Sequence, residues 1–100
     1  MITRVDLYQY PGDLVDGWQS SEIAGIDLDA SARRYMQMLA ASIRREYPRA
    51  VVDWQFTDLT PSHPVVITSD TNYTEQTDAE GEISELASDI YIGQAWLVTA

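Results

Sequence analysis

Residues 29–57 read DASARRYMQMLAASIRREYPRAVVDWQFT, and the change of period inside this stretch decides the fold. In its first part Ala32, Tyr35, Met36, Leu39, Ala40, Ile43 and Tyr47 recur at the i, i+3, i+4, i+7 spacing of an amphipathic helix. Asp29 is the predicted N-cap, its carboxylate placed to accept from a first-turn amide. Pro48 ends the helix, because its ring drives the preceding residue out of helical geometry. Arg44 and Arg45 stand in the last turn, where positive charge complements the helix dipole. From residue 50 the period becomes two. Ala50, Val52, Trp54 and Phe56 fall on one side, and Val51, Asp53, Gln55 and Thr57 on the other, the pattern of a half-buried strand.

Working outward, residues 2–10 alternate as a strand, with Thr3, Val5, Leu7 and Gln9 on one face and Ile2, Arg4, Asp6, Tyr8 and Tyr10 on the other. Pro11-Gly12-Asp13 stops it with turn chemistry. Residues 11–28 have no period, yet Leu14, Val15, Trp18, Ile23, Ile26 and Leu28 give this long connection something to bury. On the C-terminal side, Thr60-Pro61-Ser62-His63-Pro64 reads as a turn leading into a β-branched run over residues 65–70. Nearness in sequence predicts that this run and the 50–57 strand form an antiparallel hairpin. The polar residues 70–77 read as a loop. A capping-box match, Thr77-Asp78-Ala79-Glu80, then opens a second helix whose stripe is Ile83, Leu86, Ala87, Ile90, Gln94 and Leu97, with Trp96 among its residues.

The order is β-α-β-β-α. The chain is expected to form one small α+β domain over residues 1–100, a three-stranded sheet with both helices packed on one face. The first helix serves as the right-handed crossover between the first two strands. The other face stays open, lined by Arg4, Tyr8, Asp53, Gln55, Thr57 and Thr68, and is to be covered by the 11–28 segment or by a second copy of the chain.

Composition narrows the chemistry. Sixteen acidic residues face six arginines and one histidine, a formal net charge of -10, with neither cysteine nor lysine. That removes disulfides, thiolate nucleophiles and cysteine-held metals, as well as lysine Schiff bases and the P-loop lysine. The five glycines have no dinucleotide-fingerprint spacing. Asp6 interrupts any apolar signal region, and no apolar run approaches the length of a membrane span, so a soluble cytoplasmic protein is expected.

Each local motif has a plain structural alternative. Asp70, Asn72 and Thr74 match the start of a calcium loop, but Glu75 and Gly81 stand where that loop requires glycine and glutamate. Asn72-Tyr73-Thr74 is a glycosylation sequon of a length that recurs by chance. Asp27 and Asp29 pair as metal ligands only at the expense of the helix cap. His63 is the one histidine available as a general base, and no nucleophile elbow accompanies it. No catalytic residue, metal or cofactor is therefore assigned.

Charge gives the functional expectation. An anionic chain without lysine is a poor direct ligand for nucleic acid, and its field favours a basic protein surface instead. The leading expectation is a non-catalytic, acidic protein-interaction module. A nucleic-acid-mimic inhibitor or antitoxin-like regulator, binding a nucleic-acid-binding protein, is its specific form. Asp78, Glu80, Glu82 and Glu85 are the expected acidic patch, and Trp18 either pins the 11–28 segment onto the open sheet face or is the loop anchor for a partner. A homodimer through the open sheet face is a further expectation. The alternatives are a small enzyme using His63 or the Asp27 and Asp29 pair, and a structural domain whose acidity serves solubility or high salt. Five of the six arginines lie between Arg33 and Arg49, so it matters whether the two helices neutralise one another.

Overall fold

The computed structural model describes residues 1–70 and 73–100. Strand β1 (Ile2–Gln9) leads through a 3₁₀ turn (Pro11–Val15) and a short helix α1 (Ser20–Ala24) into helix α2 (Leu28–Glu46). Strands β2 (Val51–Phe56) and β3 (Val65–Ser69) follow, and helix α3 (Tyr73–Gly93) comes last. The fold is α+β, with the expected strands and the two long helices in the expected order. No helix among the described residues is long and apolar enough to cross a membrane.

The sheet order is β2-β1-β3. β1 pairs in parallel with β2, as the helical crossover requires, and antiparallel with β3. The expected β2–β3 hairpin is therefore not formed. β1 lies between the two strands, and residues 57–64 span its end instead of making a tight turn, with Tyr8 donating its amide to the Pro64 carbonyl (2.9 Å). The physical gain is that the most apolar stretch of β1, Val5 and Leu7, is flanked on both sides and fully buried.

Val5, Leu7, Val52 and Ile67 meet Ala32, Met36, Leu39, Ala40 and Ile43 of α2, with Ala79 and Ile83 of α3, in one cluster. The alternation read for β1 holds from Val5 onward. A register irregularity between Ile2 and Arg4 turns Ile2 inward as well.

Both helices begin earlier than the sequence suggests. Asp27, not Asp29, caps α2, its Oδ1 accepting from the Ala30 amide at 3.0 Å. The reason lies in the C-terminal tail. The Asp27 amide donates to the Val98 carbonyl (2.8 Å), and Ile26 bridges Thr99, so the chain is already held before Asp29. Asp29 instead joins Arg33 across one turn at 3.1 Å. In α3, Thr77 is not an N-cap but an interior residue whose hydroxyl donates to the Tyr73 carbonyl (3.1 Å). Residues 73–77 are polar because that turn faces solvent, not because it is a loop. Asn72 of the calcium and sequon matches lies outside the described residues, and Thr74 is helical.

α3 stops at Gly93, where Gln94 takes a left-handed backbone (φ 59°). Trp96 therefore belongs to the tail and not to the helix. It is completely buried and donates its indole N–H to the Tyr91 carbonyl at 3.1 Å. Tyr91 stacks on it (5.4 Å between ring centres), Tyr35 meets it edge-on (5.8 Å), and Trp18 packs at 6.2 Å. Beside it the buried Ser31 hydroxyl accepts from the Val98 amide at 2.8 Å.

Removal of this plug is costly. Trp96→Ala should lower stability by about 3–5 kcal/mol, and Trp18→Ala, at a half-buried position, by about 1–2 kcal/mol. Chemical denaturation followed by circular dichroism measures both; equal effects would show that Trp96 is not the organising contact.

Candidate functional site

The acids of α3 are Glu75, Asp78, Glu80, Glu82, Glu85 and Asp89, and the helix carries no arginine. Helical geometry sorts them. Spacings of three and four put Glu75, Asp78, Glu82, Glu85 and Asp89 along one flank, a stripe about 21 Å long at 1.5 Å per residue. Ala79 and Ile83, buried in the core, fix the rotation that turns this flank toward the C-terminal end of α2. Of the four patch residues expected from sequence, Asp78, Glu82 and Glu85 are thus brought together. Glu80 points to the opposite flank, beside Tyr8, Pro64 and Val65.

A cleft of about 710 Å³ opens beside the stripe, between the first half of α3 and the end of α2. Its floor includes Ile2, Tyr47 and Ala79, and its rim Glu46, Pro48, Glu75, Asp78 and Glu82, with Arg49 and the Met1 amine as the basic members. The groove continues along the helices past Glu85, Leu86 and Asp89, again with Glu46 on the α2 side. Glu46, Glu75 and Asp89 join the site only through folding; the heptad-like spacing of the α3 acids was the available signal.

Two contacts close the lower end. The Met1 amine binds Asp70 (2.7 Å) and Glu75 (2.8 Å), and these bonds raise its pKa above the ordinary value. The Tyr47 hydroxyl, at the α2 C-cap, donates to Glu82. Burial, then the bond to Glu82 and nearby carboxylates, push the Tyr47 phenol well above its usual pKa.

Three arginines of α2 turn away from the α3 acids. Arg33 pairs with Asp29 and lies over the Phe56 ring (5.8 Å), Arg44 donates to the Val52 carbonyl (2.8 Å), and Arg45 reaches Ser42 on its own helix (3.1 Å). Among the described residues no ion pair joins α2 to α3. The helices pack side by side, yet their charges stay separate.

The open sheet face is where the sequence placed it. Arg4, Asp53, Gln55 and Thr68 are exposed there and Tyr8 half-exposed. Asp6 and Asp53 face each other in register, and Arg4 bridges them, at 3.0 Å and 2.6 Å. Thr57 lies beyond β2 and turns its hydroxyl to the Leu59 carbonyl. The 11–28 segment does not cover this face. Leu14 joins the core on the helix side, and Trp18 is pinned onto Trp96 instead of the sheet.

His63 stands on an exposed turn, and Asp27 and Asp29 are engaged as cap and ion-pair partner. Among the described residues no group of three or more histidines and carboxylates is arranged to hold a metal ion. No family model, curated protein or solved structure matches this chain.

The Tyr47–Glu82 bond makes a pH prediction. The folded pKa of Tyr47 is raised, so its contribution is fully present below the unfolded value of about 10 and is lost as pH rises beyond that. Tyr47→Phe should cost about 1 kcal/mol at neutral pH and make the alkaline decline shallower than in the wild type. Melting curves from pH 7 to 11 for the two proteins test it; parallel curves would remove the bond's role.

Proposed function

We propose that the chain is a non-catalytic interaction module whose α2–α3 groove receives a basic segment of a partner protein. The observation that carries this reading is the acidic flank of α3 beside an open cleft, with no ion pair to α2 among the described residues. Of the four arginines of α2, Arg33, Arg44 and Arg45 turn to Asp29, to the Val52 carbonyl and to Ser42, and not to the acids of α3. A groove whose carboxylates outnumber its two cations, Arg49 and the Met1 amine, raises encounter rates with cationic surfaces and orients them.

The floor of the cleft suits the same occupant. Arginine and lysine carry apolar stems beneath charged heads, matching apolar groups below and carboxylates around the rim. A nucleic-acid mimic is the specific form of the reading. The stripe offers a carboxylate about every 5 Å of helix axis, against one charge per about 3.4 Å along a DNA strand. The partner is then a nucleic-acid-binding protein, and the chain acts as its inhibitor or antitoxin-like regulator.

A labelled arginine-rich peptide followed by fluorescence anisotropy tests the groove. Asp78→Asn, Glu82→Gln and Glu85→Gln combined should weaken binding at least tenfold at low salt and flatten its salt dependence. Glu80→Gln, on the other flank, should change affinity less than twofold. Equal losses from the two variants, or no loss from the first, would refute the groove as the binding site.

A further inference from the structure

With β1 in the middle, both β2 and β3 are sheet edges, and edges left plain invite pairing with other chains. The two edges are treated differently. β2 carries Asp53 within the strand, Arg44 bonds to its Val52 carbonyl, and Arg33 lies over Phe56. Among the described residues no arginine contact guards Val65 to Thr68 of β3. Its residues Val65, Val66, Ile67, Thr68 and Ser69 include neither charge nor proline, and the first four are β-branched.

Backbone parity shows what β3 offers. Pro64 accepts from Tyr8, and Asp70 donates to Met1, so the even-numbered positions face β1. By the alternation of an antiparallel ladder, Val65 and Ile67 direct their amides and carbonyls outward along the free edge.

We infer that this edge pairs with β3 of a second copy of the chain, antiparallel about Ile67, giving a continuous six-stranded sheet. A two-fold axis there makes the contact self-complementary: Ile67 faces Ile67 of the second copy, and Val66 faces Thr68. Charge selects the same contact. A chain of net charge -10 resists self-association wherever its acids cluster, and the α3 stripe lies on the α2 side. On the flank beside β3 the only acid of α3 is Glu80. The open sheet face, by contrast, would bring the Asp6 and Asp53 pairs of two copies together.

Light scattering of the full chain over a range of concentrations should show twice the chain mass. The absence of cysteine makes cross-linking decisive. Oxidising a mixture of the Val66→Cys and Thr68→Cys proteins should give a covalent dimer, because directly opposed residues have Cβ atoms about 4.5–5.5 Å apart. Each variant alone should give at least tenfold less, its thiols being about 7–8 Å apart on the diagonal. A monomer at the highest concentration would overturn the inference. So would a dimer that fails to cross-link in the mixture but is dispersed by Gln55→Lys, which alters the sheet face and not the β3 edge.

Discussion

Trp96 closes the fold from the tail. Three aromatic rings from three different parts of the chain, Trp18, Tyr35 and Tyr91, meet on its indole. The same short tail supplies the Val98 carbonyl and amide that hold Asp27 and Ser31, and the Thr99 bridge to Ile26. The start of α2, the end of α3 and the aperiodic 11–28 segment are therefore set by one buried side chain and its neighbours. Without that closure residues 16–27 would have only short-range order, a helix of five residues with a Gln19–Glu22 capping box and no buried member.

The closure also governs the charged groove. Tyr91 stacks on Trp96 and donates its hydroxyl to the Leu14 carbonyl at 2.7 Å, which fixes the far end of α3. Ala79 and Ile83 fix its near half against the core. A helix held at both ends cannot rotate to hide its acids. Two arginines of α2 have their own constraints, Arg44 at the Val52 carbonyl and Arg33 at Asp29 and the Phe56 ring. Separation of charge is thus a consequence of packing: the apolar contacts decide the rotation of each helix, and weak surface ion pairs do not have the energy to change it.

The elements themselves were legible in the sequence, and their arrangement only in part. Period gave α2 to its end at Tyr47 and Pro48, and β2 and β3 within a residue or so, because each presents one apolar face to a single core. Strand order was not legible. A β2–β3 hairpin and a β1-centred sheet satisfy the same alternation, and only the burial of Val5 and Leu7 between two flanking strands distinguishes them. The start of α3 was hidden by its polarity, which an exposed helical turn and a loop share. Trp96 read as helical because Gln94 and Leu97 on either side of it continue the period past Gly93; the left-handed Gln94 that removes it from the helix is not a residue that announces such a turn as glycine would. In the site, the α3 acids were visible as a cluster, but assigning Glu80 to the other flank required knowing which residues are buried.

Acidity and sheet architecture then constrain each other. A mixed sheet of three strands has two edges and one bare face, and a small chain has few elements with which to cover them. Here Arg44 and Arg33 of α2 guard the β2 edge, and neither lines the groove. Were they turned toward α3, the groove would be less acidic and the β2 edge as plain as that of β3. The same side chains cannot do both. The anionic groove and the unguarded β3 edge are the two surfaces this distribution leaves over, and they lie on opposite flanks of α3, so a basic partner in one need not displace a strand paired along the other.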